Sequence, residues 1–266
     1  LNKCTHKMTP KQVKQIKGTV LVLHGFAQNG KSFAIKASGI RKAFKKAGYH
    51  TVFIDGPLKL EPADMPFEVK TNGTPFADLN LRGWTYTQPD RFNIQPSLDV
   101  VREAYKEHGP FIGLMGFSQG AGVLGAILSR YAEVVGDEKA ADYLKFALIY
   151  SGFVYTDKSM EKFYDKKIEL PTLHLMGELD TVVSNDRSQK LVDRCLNSTI
   201  MRHPGGHYVP STKPLLRSEI AWVQNVVDGK NNEDGKEKPE DAKKKAAEDK
   251  KELDDLAKQM AKLGQA

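Results

Sequence analysis

At 266 residues, with 40% hydrophobic and 27% charged residues, the chain has room for one sizeable core and would be cramped as two domains. Its net charge is +7, yet no dense Lys/Arg block with interleaved aromatics occurs, which argues against a nucleic-acid partner and for a solvated basic surface. No apolar run approaches the ~20 residues of a bilayer span, and the two cysteines, Cys4 and Cys195, are too few for a disulfide framework. The expectation is a cytoplasmic protein with no integral membrane segment.

Residues 1–18 read as an N-terminal extension with lysines at Lys3, Lys7, Lys11, Lys14 and Lys17 and no apolar stretch of signal-peptide length. The chain begins with Leu1 rather than Met, which leaves a lost leader open. Five nearly continuous apolar runs follow, the pattern of strands buried on both faces: Thr19–Leu23, Thr51–Ile54, Phe111–Met115, Phe146–Tyr150 and Thr172–Leu175. A sixth, Thr199–Arg202, is more polar, as an edge strand is. Helical periodicity falls between them. Lys31–Lys46 ends at Gly48, a suitable C-cap, and Pro96–Glu107, Gln119–Ala132, Asp186–Cys195 and Leu215–Val227 follow. This alternation predicts an α/β domain over 19–228, with a mostly parallel sheet of about six strands and helices on both faces.

Two stretches break the alternation. Residues 57–95 hold Pro57, Pro62, Pro66, Pro75 and Pro89 with Trp84 and Tyr86, too long for an ordinary connection; they read as an insertion over the top of the sheet. Residues 229–266 begin with a polar run that cannot bury a core and balance lysines against acids. Their end carries Leu253, Leu256, Met260 and Leu263 at helical spacing, either a solvated helix or a helix that contacts another protein.

The strongest chemical signal is Gly116-Phe117-Ser118-Gln119-Gly120, between a strand and a helix. This is the context of a nucleophile elbow, in which a serine on a sharp turn exposes its Oγ and its neighbours have almost no side chain. A serine needs a base and an orienting acid, and in this fold they follow it in the order acid, then histidine. Asp180, in the loop after the fifth strand, is the expected acid, with Glu178 as its competitor. His207 follows two glycines in His203-Pro204-Gly205-Gly206-His207 and is the expected base, with His203 as its competitor. The oxyanion is expected to meet the backbone N–H groups of Gln119 and Phe26, the latter in the loop His24-Gly25-Phe26, where His24 reads as a brace. Trp84 and Tyr86 are the candidate acyl wall, with a loop anchor as the alternative for Trp84. No metal-ligand cluster, P-loop or post-strand GxGxxG occurs, so neither metal nor cofactor is expected.

Taken together, Leu23-His24-Gly25-Phe26 with Gln28-Asn29, Ser38-Gly39-Ile40-Arg41, Arg82-Gly83-Trp84, Gly116-Phe117-Ser118-Gln119-Gly120-Ala121, Gly177-Glu178-Leu179-Asp180 and His203-Pro204-Gly205-Gly206-His207 resemble the fungal proteins called the family of serine hydrolases. The resemblance runs from about residue 19 to residue 227. It implies a compact α/β-hydrolase that cleaves small-molecule carboxylic esters through a Ser-Asp-His triad, with Trp84 near the acyl cleft. It also implies a kinship with thioesterases that release acyl chains. Acyl-protein thioesterases, which share the elbow but usually lack the HPGGH arrangement and the Gln-Asn pair, are the second match. A non-catalytic scaffold with a hydrolase fold is the competing class.

Overall fold

A computed structural model of the chain describes residues 16–66 and 68–230. In chain order its elements are β1 (Gly18–Leu23), α1 (Gly30–Lys36), α2 (Ser38–Ala47), β2 (Tyr49–Ile54), β3 (Leu58–Lys59), β4 (Arg82–Gly83), α3 (Gln95–His108), β5 (Phe111–Phe117), α4 (Gln119–Ile127), α5 (Tyr131–Val135), α6 (Ala140–Tyr143), β6 (Phe146–Tyr150), β7 (Thr172–Gly177), α7 (Asn185–Val192), β8 (Ser198–His203) and α8 (Lys213–Val227). Six of the strands form one parallel sheet in the order β2-β1-β5-β6-β7-β8, the six-stranded parallel α/β sheet expected from the apolar runs.

Alternation along each strand divides the core into two layers. In β1, Leu21 and Leu23 face α3 and α4, while Val20 and Val22 face α1, α2 and α8. In β6, Ala147 and Ile149 go with the first set, and Phe146, Leu148 and Tyr150 with the second. All nine residues of α4 are buried, since this helix lies against the sheet and is itself covered. β8 is the edge strand anticipated from its polarity, exposed at alternate positions.

Two helices are shorter than their periodicity suggested. Lys31–Lys46 is broken at Ala37, whose ψ of 21° turns α2 away from α1 so that Ile40 and Phe44 reach the core. Gln119–Ala132 is interrupted by a 3-10 turn at Leu128–Arg130 before α5. Tertiary packing decides both breaks, and neither falls on a proline or glycine itself. Within 57–95, β3 and β4 pair antiparallel, and Asp64 holds Arg91 at 2.6 Å. The first compact unit of the chain ends at Val227. The expected tail helix with Leu253, Leu256, Met260 and Leu263 lies outside the described residues, as do Cys4 and nearly all of the N-terminal extension. Among the described residues no helix is long and apolar enough to cross a membrane.

One carboxylate sits inside the second layer. Glu219 of α8 is fully buried and accepts from the Tyr150 hydroxyl at 2.6 Å, and its other oxygen has no hydrogen-bond partner among the described residues. Burial pushes its pKa up from 4.5 to about 8, against the opposing pull of the Tyr150 hydrogen bond. The folded state therefore holds a proton that the unfolded chain releases near pH 4.5, so this contribution to stability is complete below 4.5 and disappears as pH rises through 8. Glu219→Gln should flatten the fall in melting temperature between about pH 5 and about pH 9, and should melt above wild type at the alkaline end. Parallel melting curves for the two proteins across that range would contradict the assignment.

Candidate active site

The turn from β5 into α4 puts Ser118 at φ 53° and ψ −116°, a left-handed conformation that costs a non-glycine residue about 1–3 kcal/mol. Backbone hydrogen bonds hold it there. Ser118 N–H donates to the Tyr150 carbonyl at 2.9 Å, and Gly120 N–H donates to that of His24 at 3.1 Å. The flanking glycines allow the approach. A Cβ on Gly120 would lie 2.5 Å from the His24 carbonyl oxygen, and one on Gly116 would lie 2.8 Å from the Ala121 backbone.

His207 and Asp180 converge on this serine from the loops after β8 and β7. Backbone bonds zip the two loops together: Glu178 N–H donates to the His203 carbonyl and Leu179 N–H to that of Gly205. The His207 ring packs on Phe117, with centroids 4.8 Å apart. Its Nδ1 lies 2.8 Å from Asp180 Oδ2, and its Nε2 lies 2.8 Å from Ser118 Oγ. A carboxylate only accepts, so Nδ1 carries the proton and Nε2 is left to accept from the serine hydroxyl. Burial raises the Asp180 pKa, but hydrogen bonds from His207, from the Val183 N–H and from Ser151 outweigh it and hold the carboxyl below its ordinary value. The competitors stand elsewhere. Glu178 is exposed, and His203 is buried with its Nδ1 accepting from Gly205 N–H and its ring against Tyr208.

The N–H groups of Gln119 and Phe26 donate to no acceptor among the described residues, and the loop that carries Phe26 is tied to the elbow through the His24 carbonyl. His24 is a brace. Its Nε2 accepts from Gly56 N–H at 2.8 Å, its Nδ1 donates to the Gly25 carbonyl at 2.7 Å, and burial pushes its pKa down to about 4. His174 and Cys195 form a separate pair with 3.6 Å between Nε2 and Sγ, and burial pushes the thiol up.

The acyl-wall expectation for Trp84 needs correction. Trp84 is wholly buried in the core; its indole N–H donates to the His24 carbonyl at 2.8 Å, and its carbonyl accepts from Ser97. It anchors the insertion. The Gln119 side chain completes the clamp, accepting from Trp84 N–H and donating to the Thr85 carbonyl, both at 2.8 Å. Tyr86, half-buried, does line a cavity of about 500 Å³ that Gln119 borders, together with Phe92, Phe153, Tyr155 and Arg187. Those four residues, and Ser151 as well, belong to no motif of the sequence. The one available signal was position, because Ser151, Phe153 and Tyr155 follow β6 at the carboxyl edge where sites form. Ser151 is buried and donates to Asp180 Oδ2 at 2.8 Å. Among the described residues no group of three or more metal-ligating side chains occurs.

A protein-family model described as serine hydrolase (FSH1) matches residues 13–218. Family of serine hydrolases 3 of Saccharomyces cerevisiae is 33% identical over 94% of this chain and 98% of its own. Esterase OVCA2 of Xenopus tropicalis is 32% identical over 76% of this chain and 90% of its own. Among solved structures, the Bacillus cereus carboxylesterase superposes with a TM-score of 0.53 at 15% identity, over 79% of this chain and 89% of that one, a likeness of fold.

Asp180 accepts four hydrogen bonds: from His207 and Ser151 on Oδ2, and from Val182 N–H and Val183 N–H on Oδ1. Removing one bond to a charged, buried acceptor should loosen the imidazole's orientation. Ser151→Ala is expected to slow fluorophosphonate labelling of the protein about tenfold, with a melting temperature within a few degrees of wild type. Labelling at the wild-type rate would show that Ser151 does not help to position Asp180.

Proposed function

The chain belongs to the serine hydrolase (FSH1) family and is a hydrolase, and from that premise we propose that it cleaves carboxylic esters of small to medium acyl chains through an acyl-enzyme on Ser118. The observation that carries this reading is the unbroken hydrogen-bonded line from Ser118 Oγ through His207 to Asp180. His207 Nε2 takes the hydroxyl proton as Oγ attacks the ester carbonyl. The carbonyl oxygen becomes an oxyanion that meets the N–H groups of Gln119 and Phe26, and one such donor is worth about 3 kcal/mol of transition-state stabilisation. The carbon–oxygen bond then breaks, and the leaving alkoxide takes the proton from His207. Water, deprotonated by the same imidazole, attacks the acyl-enzyme and releases the acid and free Ser118. Asp180 stays ionised throughout and stabilises the imidazolium. A thioester would enter by the same route, and a comparison of matched ester and acyl-CoA substrates decides the preferred leaving atom.

The acyl chain is assigned to the cavity beside Gln119, with Tyr86 retained in its wall and Trp84 removed from it. The catalytic unit is proposed to be residues 19–228, with the insertion 57–95 held over the site through Trp84 and Gln119. Every residue given a catalytic role precedes residue 228, so truncation there should leave hydrolysis of small esters within a few-fold of the full chain. Cytoplasmic placement belongs to the same proposal and rests on the low cysteine count.

Ser118→Ala should abolish fluorophosphonate labelling and ester turnover while the fold persists. His207→Ala should lose about three orders of magnitude in kcat, whereas His203→Ala should act mainly on the melting temperature. A labelled Ser118→Ala protein, or equal kcat losses in the two histidine variants at unchanged stability, would refute the assignment.

A further inference from the structure

The cavity beside Gln119 is built for more than a plain alkyl chain. Its floor is aromatic. Phe92 and Phe153 flank Tyr155 with ring centroids 5.3 Å and 5.2 Å away. Tyr86 forms part of the wall, under the guanidinium of Arg91, which stands 3.6 Å above its ring. Asp64 neutralises that cation at 2.6 Å. Arg187 and Lys158, which also line the cavity, are not neutralised in this way: no carboxylate among the described residues pairs with either. The one acid in the lining, Asp157, is turned to its own turn, where it accepts from the N–H and the hydroxyl of Ser159.

Arg187 is also held in place. Its guanidinium rests 4.7 Å above the Phe153 ring, and its Nη1 donates to the Val182 carbonyl at 3.2 Å. A guanidinium fixed on an aromatic face by one hydrogen bond keeps most of its planar fork of donors for another acceptor, and that fork matches a carboxylate. We propose that this cavity selects acyl groups that end in a carboxylate, with the methylenes over Phe92, Phe153 and Tyr155 and the carboxylate on Arg187. Lys158 adds a second positive charge beside it without fixed geometry. The proposal rests on the ester-hydrolase reading of Ser118 and names the substrate class of that site.

The test compares half-esters with neutral esters of equal chain length on the full chain: monomethyl adipate against methyl hexanoate, and monomethyl suberate against methyl octanoate. Wild type should favour the half-ester in kcat/KM by about tenfold for the length that spans the cavity, and rising ionic strength should shrink the preference. Arg187→Met keeps an apolar stem on Phe153 and removes the charge, so it should lower the half-ester to neutral-ester ratio about tenfold, chiefly through KM. Arg187→Lys should retain part of the ratio. Hydrolysis of the neutral esters without any preference for the half-esters, or a ratio unmoved by Arg187→Met, overturns this inference and leaves the hydrolase reading standing. Failure to cleave either ester class while Ser118 still labels rejects the substrate class. Failure to label at Ser118 rejects the hydrolase reading, and this inference with it.

Discussion

The structure turns on how closely the start of α4 approaches the end of β1. Gly120 is pressed against the carbonyls of Leu23 and His24 so tightly that a methyl group would lie 2.5 Å from one and 2.6 Å from the other. That contact lets the Gly120 N–H reach the His24 carbonyl, and with the Ser118–Tyr150 bond it pins the elbow between the two neighbours of β5 in the sheet. The strain at Ser118 persists because surrounding elements fix both sides of it. The same contact ties the loop after β1, which carries Phe26, to the elbow. At this place in the sheet the chain leaves β1 toward β2 on one side, while β5 leads toward β6 on the other, the switch point at which open parallel sheets form sites.

The insertion is part of this arrangement. A buried amide needs its donors and acceptors satisfied, and the Gln119 side chain finds them in the backbone of Trp84 and Thr85 rather than in solvent. The indole N–H of Trp84 does the same with the His24 carbonyl, an oxygen that also accepts from Gly120. One carbonyl therefore joins the first strand, the elbow and the insertion. This explains why a tryptophan in a polar, proline-punctuated stretch is a core residue. Its apolar surface fills the layer between α3 and the sheet, and its one polar atom is met inside that layer.

Much of this was legible in the sequence, because the relevant signals are local. Buried parallel strands are continuous apolar runs, and the glycines of the elbow, the loop positions of Asp180 and His207 and the bracing place of His24 all follow from where each strand ends. The helix break at Ala37 was not legible, since that residue suits a helix and yields only to the packing of Ile40 and Phe44. Ser151 was not legible as a partner of Asp180, because its role depends on two loops from different strands meeting in space. The aromatic cavity likewise draws Tyr86 and Phe92 from the insertion and Phe153 and Tyr155 from the loop after β6. No spacing rule joins segments so far apart, and in the sequence alone the tryptophan outweighed them by size.

The acid loop links the two ends of the site. Val182 donates its N–H to Asp180 Oδ1, and its carbonyl accepts from Arg187 at the cavity lip. A single peptide segment thus holds the carboxylate bonded to His207 and the cation that lines the aromatic cavity. Electrostatics makes the two demands compatible. Asp180 has its charge met by four hydrogen bonds within a buried turn, so it has little need of Arg187, whose guanidinium stays over the Phe153 ring. Had the arginine been drawn to Asp180, it would have competed with His207 for the carboxylate, and the cavity would have lost its cation. Satisfying the acid with neutral donors, the two N–H groups and the Ser151 hydroxyl alongside His207, keeps the carboxylate that orients the imidazole separate from the cation of the cavity, although both belong to the stretch from Asp180 to Arg187.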